Sequence, residues 1–76
     1  MIKVKVGDSV RRTEKVVDKN TTLVAVLEDA GVNYTDYIIN LNGDPLTVEE
    51  LQKTFADFNV GAECSLIGAV KSDNSR

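Results

Sequence analysis

The chain has no histidine, a single cysteine, a single proline and only four aromatic residues among its 76 positions. Without histidine, the usual imidazole acid–base group, the Ser-His and Cys-His nucleophile pairs and the common zinc ligand sets are all excluded. Cys64 alone cannot close a disulfide within the chain, which agrees with a reducing compartment. Few aromatics leave little for stacking against nucleic-acid bases. No stretch approaches the ~20 consecutive apolar residues that span a bilayer. The opening Met1-Ile2-Lys3-Val4-Lys5-Val6 alternates charge with hydrophobe, whereas a secretory signal would set a basic patch before a continuous apolar run. A cytoplasmic protein with no membrane association is the expectation.

What is present is an ordinary apolar content, 42% hydrophobic and rich in Val, Leu and Ile, enough for a single folded domain. A core of this size supplies about 3–5 kcal/mol of net stability, which leaves little for a deep, strained catalytic pocket. The net charge of −3 is unevenly distributed. Residues 1–20 carry six bases (Lys3, Lys5, Arg11, Arg12, Lys15, Lys19) against Asp8, Glu14 and Asp18. Residues 21–70 carry eight acids against Lys53 alone. If the two segments occupy different surfaces, the molecule is electrically two-sided.

Ile2, Val4 and Val6 fall on one side of a strand, with Lys3 and Lys5 on the other. Gly7-Asp8-Ser9 signals a turn, and Val10 to Val17 reads as the returning strand of a hairpin with an aliphatic inner and mostly basic outer face. Thr21 is the favoured N-cap for a short amphipathic helix whose stripe is Leu23, Val26, Leu27 and Ala30, ended by Gly31. Tyr37 to Leu41 is a third strand, and Asn42-Gly43-Asp44-Pro45 a tight turn leading to a very short strand at Leu46. Thr47-Val48-Glu49-Glu50 fits a capping box and predicts a short helix from Val48 to about Lys53. Thr54 to Val60 reads as irregular, anchored by Phe55 and Phe58. Cys64 to Lys71 is the last strand, apolar enough to be central and parallel to the first. The expected domain spans residues 1–71, followed by a flexible polar tail at 72–76.

This layout defines an α+β domain: a mixed sheet of four to five strands, with one amphipathic helix packed on one face and a short second helix. The element order, the Thr22-Leu23 helix entry, Ile39-Asn40-Leu41-Asn42-Gly43 before the turn and Val60-Gly61-Ala62-Glu63 before the last strand resemble the β-grasp fold. That fold is shared by ubiquitin and the bacterial sulfur-carrier proteins of thiamin and molybdopterin synthesis. In those families the resemblance would imply an activated C-terminal Gly-Gly. Here the chain runs Lys71-Ser72-Asp73-Asn74-Ser75-Arg76 with no Gly-Gly, so conjugation or sulfur transfer is not expected.

Each candidate for chemistry has a plainer structural reading. Cys64 has no base or cation to activate it and reads as a small hydrophobe. Asp44, Glu49, Glu50 and Asp57 lack the spacing of a calcium loop and are explained by capping and solubility. Gly7-Asp8-Ser9 and Asn42-Gly43-Asp44 match no phosphate-binding loop. No catalytic residue, cofactor or metal is therefore expected. The basic set Lys3, Lys5, Arg11, Arg12 and Lys15 reads as a solvated sheet face or a docking surface for an acidic protein, and the acidic pI of 4.7 argues against nucleic acid. Tyr34 and Tyr37 serve equally as interface residues or as caps on the sheet edge. The expectation is a non-catalytic protein-interaction module with Lys3, Lys5, Arg11, Arg12, Lys15, Tyr37 and Ile39 as its contact residues. The alternatives are a sulfur-carrier relative without its terminal chemistry, or a nucleic-acid accessory protein.

Overall fold

The computed structural model describes residues 1–70. The end of the expected domain at Lys71 and the expected tail at 72–76 lie outside the described residues. The elements are β1 (Ile2–Asp8), β2 (Arg12–Val17), α1 (Leu23–Asp29), β3 (Tyr37–Leu41), β4 (Asp44–Leu46), α2 (Phe55–Phe58) and β5 (Glu63–Val70). Short 3₁₀ turns at Tyr34–Asp36 and Glu50–Gln52 complete them.

The strands form one mixed sheet in the order β2-β1-β5-β3-β4. β1 is antiparallel to β2 and parallel to β5, while β3 is antiparallel to both β5 and β4. The last strand is therefore central and parallel to the first, as its apolar run implied. The parallel register sets Val4 beside Cys64 and Val6 beside Leu66. These four point to the same side as Ile2, Ile39 and Leu41, and all are buried. α1 covers this side with Leu23, Val26 and Leu27, so one core lies between sheet and helix, and no described residue covers the other sheet face.

α1 forms for local reasons that offset the poor helix propensity of its two valines. Thr22, rather than the expected Thr21, is its N-cap, its hydroxyl accepting from the Ala25 N–H at 3.2 Å. Thr21 is otherwise engaged: its N–H donates to the Asp18 carbonyl and its own carbonyl accepts from the Phe55 N–H. The helix ends in a Schellman motif, with Val32 N–H donating to the Leu27 carbonyl and Gly31 N–H to the Glu28 carbonyl. Gly31 takes φ +78, a conformation only glycine holds without strain.

The segment after β4 departs from expectation in an informative way. The Thr47–Glu50 capping box is present, Thr47 N–H donating to Glu50 Oε1 at 2.8 Å and Glu50 N–H to Thr47 Oγ1 at 3.2 Å. It opens only a 3₁₀ turn that buries Leu51, not a helix from Val48 to Lys53. The second helix is instead α2, within the stretch expected to be irregular. A second capping box holds it: Thr54 N–H donates to Asp57 Oδ2 at 3.0 Å, and Asp57 N–H donates back to Thr54 Oγ1 at 3.4 Å. The two helix starts are tied together, with Leu23 N–H on the Lys53 carbonyl and Phe55 N–H on the Thr21 carbonyl around a Thr22–Thr54 bridge. This stitch drives Phe55 into the core at 0% exposure, the largest of the fully buried side chains.

Because Phe55 joins α1 to the loop that leads into β5, its truncation tests the whole arrangement. Phe55→Ala is expected to cost about 3–5 kcal/mol, as much as a core of this size supplies. In a denaturant titration the variant should show no cooperative transition, where the unsubstituted chain shows one.

Candidate functional site

Alternation along the strands decides which residues the uncovered face presents. β2 contributes Arg12, Glu14 and Val16, β1 contributes Lys3 and Lys5, and β5 contributes Glu63, Ser65, Ile67 and Ala69. β3 and β4 add Ile38, Asn40 and Pro45. The face has two zones. On the β1–β2 side Lys5 lies across from Glu14 and Lys3 beside Glu63, so acids interleave with bases. On the β5–β3 side Ile38 pairs with Ala69, Ile67 with Asn40, and Asn40 with Pro45, making a largely apolar patch. Ile38 is 41% exposed, and Asn40 is held in place by its Nδ2 donating to the Ile38 carbonyl at 3.2 Å.

The residues picked out from the sequence do not converge on one surface. Lys3, Lys5 and Arg12 share the uncovered face. Lys15 lies on the helix side, where its amine pairs with Asp29 at the end of α1 at 2.9 Å. Such a partly exposed pair is worth little energetically, but it turns Lys15 away from the other cations. Arg11 lies in the hairpin turn. Tyr37 also lies on the helix side, where it packs on Gly68: a Cβ there would come within 3.1 Å of the tyrosine Cβ and Cγ. Arg11 and Tyr37 help line a groove of about 390 Å³ at the end of α1, together with Val10, Gly31, Val32 and Asp36.

Ile39 is a correction. It is 1% exposed and belongs to the core, because it shares the helix-facing side with Leu41 and Leu46. Its neighbour Ile38 is the exposed residue. Two further corrections concern the hairpin. Its inner face is not wholly aliphatic, since Thr13 and Lys15 lie there beside Val17, while its outer face is mostly basic as expected, with Lys3, Lys5 and Arg12 against Glu14. β2 begins at Arg12, so Val10 stands in the turn at 91% exposure, and Val16 points outward at 59%. Ile38, Ile67, Ala69 and Val16 were missed as surface residues, although the period-2 pattern contains them: with Leu41 and Leu66 inside, Ile38, Ile67 and Ala69 must lie outside.

The protonation of Asp8, Asp57 and Cys64 is shifted, each for a structural cause. Asp8 is held below the ordinary value of 3.8 by the backbone N–H groups of Arg11 and Val10, both donating to Oδ1 at 2.8 Å. Asp57 is lowered by the Thr54 N–H and then by the Thr54 hydroxyl. Burial pushes the Cys64 thiol up, which makes it less reactive. Among the described residues no three metal-ligating side chains come together. No described helix is long and apolar enough to cross a membrane. Compared with known protein families and with curated proteins, the sequence matches none.

The lowered carboxylates set a pH dependence whose sign follows from linkage. Asp8 and Asp57 bind protons less readily folded than unfolded, so their contribution is fully present above the unfolded value near 3.8 and is lost as pH falls through the lower folded value. Thermal melts should show stability declining as pH drops below 3.8. Asp57→Asn should lower the melting temperature at neutral pH and flatten the acid decline. An unchanged acid slope in that variant would mean the Thr54–Asp57 box contributes no charge-dependent stability.

Proposed function

We propose that this chain is a ubiquitin-like β-grasp domain that acts as a non-catalytic protein-interaction module and meets its partner with the uncovered face of its sheet. Support for the fold comes from the parallel pairing of first and last strands at the sheet centre, one main helix on one face, and the β3–β4 hairpin at the edge. Support for the binding role comes from one observation above the others. The exposed Ile38 stands against Ala69 and near Ile67 on a sheet surface that no described helix covers, bordered by Lys3, Lys5, Glu14 and Glu63.

An apolar centre with a charged border is the anatomy of a protein–protein contact. The interleaved Glu14 and Glu63 favour a protein over a nucleic acid, since a phosphate backbone would be repelled by both. The mixed border would act chiefly on orientation and encounter rate, with affinity drawn from the isoleucines.

The test compares proteins captured from lysates of the source cells by the immobilised chain and by two variants, Ile38→Asp and Lys3→Glu/Lys5→Glu. Both sets of positions are exposed, and circular dichroism checks that each variant is folded. A partner held through this face should bind Ile38→Asp about 1–2 kcal/mol more weakly, roughly a 5- to 30-fold loss. Equal recovery of the same partner by all three baits would refute the sheet face as the contact surface.

A further inference from the structure

Among the described residues β2 is the longer open edge of the sheet, and its residues are complementary to themselves when the strand is read in reverse. The pairing of β2 with β1 runs from Ile2 opposite Val17 to Gly7 opposite Arg12, and the Asp8 N–H donates to the Arg11 carbonyl at 2.9 Å. Antiparallel hydrogen bonding alternates along a strand. Thr13, Lys15 and Val17 therefore bond to β1, while Arg12, Glu14 and Val16 direct their backbone N–H and C=O groups away from the sheet. Any added strand must bond to these three.

A second copy of β2 added antiparallel has few usable registers. Centring the pair on Glu14 sets that carboxylate against its own copy, and centring it on Arg12 opposes two guanidinium groups. Centring it on Lys15 sets Glu14 against the partner's Val16, so Glu14 gains no cation, and brings two lysines together that are each already paired with Asp29. Centring it on Thr13 places Arg12 across from the partner's Glu14 and Glu14 across from the partner's Arg12. Among the described residues neither side chain has an ion pair within its own chain. Val10 stands in the turn and lines the groove at the end of α1, so this register leaves Val16, 59% exposed, at the outer end of the strand pair. On the helix side Arg11 faces the partner's Lys15, whose amine is occupied by Asp29.

We propose that two copies of this chain associate edge to edge through antiparallel β2 strands centred on Thr13, joining their sheets into one. Unpaired strand edges are templates for such addition unless something blocks them. Opposite charges directly across a strand pair stabilise it, and like charges destabilise it. A short strand pair buries less than the ~1,600 Å² of a standard interface, so the dimer forms at high chain concentration. The inference rests on the sheet edge and stands whether or not the uncovered face binds another protein.

Sedimentation equilibrium over a concentration series reads the association directly. The unsubstituted chain should move from 8.3 kDa toward twice that mass as concentration rises. Arg12→Glu alone and Glu14→Arg alone should each weaken self-association at least about tenfold, since each opposes like charges. Mixing those two variants should restore dimers, because every acid at the pair then faces a base. The combined Arg12→Glu/Glu14→Arg chain should also self-associate. Thr13→Cys in a Cys64→Ala background should give an interchain disulfide on oxidation, because residues 13 and 13 of the two copies form a close, non-hydrogen-bonded pair. Circular dichroism verifies folding, all three β2 positions being exposed. A single monomeric mass up to ~1 mM would overturn the proposal, as would single reversals without effect or a mixture that stays monomeric.

Discussion

The parallel contact between β1 and β5 carries the rest of this structure. Val4, Val6 and Leu66 meet there at 0% exposure, and every other element is placed by its relation to that pair. β2 flanks β1 on one side, β3 flanks β5 on the other, and α1 closes over the seam with Leu23 and Leu27. Parallel neighbours cannot be joined by a tight turn. Between Val17 and Glu63 the chain leaves the sheet for α1, re-enters it as β3 and β4, and leaves again through α2 before returning as β5. All of α1, the β3–β4 hairpin and α2 lie within that excursion, which is why a domain this small needs so many short elements.

Holding the excursion in place is mainly the work of backbone hydrogen bonds and caps. The bridge between Thr22 and Thr54 joins two helix N-termini, each closed by its own threonine hydroxyl. Asp57 completes one box and Glu50 another, so two of the acids counted in the acidic part of the sequence serve the ends of helical turns. Acid-rich composition here is thus partly a consequence of short helices, which have a high proportion of unsatisfied N–H groups to cap.

One helix layer leaves one sheet face bare, and that asymmetry organises what the molecule can offer to others. The bare face is zoned by strand: interleaved charges over β2 and β1, apolar side chains over β5 and β3. Its open β2 edge adds outward backbone groups flanked by one base and one acid. Binding by face and pairing by edge meet at Glu14 but centre on different atoms, the Ile38 side chain in one case and the β2 backbone in the other.

Much of this was legible in the sequence. The strands β1, β3 and β5, the apolar stripe of α1, its stop at Gly31 and the turn at Asn42-Gly43 all follow from periodicity and turn chemistry, because those signals are local and strong. The central place of β5 followed from its apolar run. Other features were decided only when distant segments met. Thr22 caps α1 because Thr21 is engaged by Phe55, 34 positions further on. The Thr54–Asp57 box starts Phe55–Phe58 locally, but the stitch to Thr21 and Lys19 fixes where that turn sits and buries Phe55. Lys15 leaves the basic set because Asp29 comes to rest above it. Ile38 and Ile39 have the same side chain; alternation from Leu41 puts them on opposite faces, and the packing of α1 on one of those faces buries Ile39 and leaves Ile38 exposed. Local chemistry thus determined the elements and their apolar sides. Only the tertiary structure decided which charges share a face, because a shared face depends on strand register across the sheet.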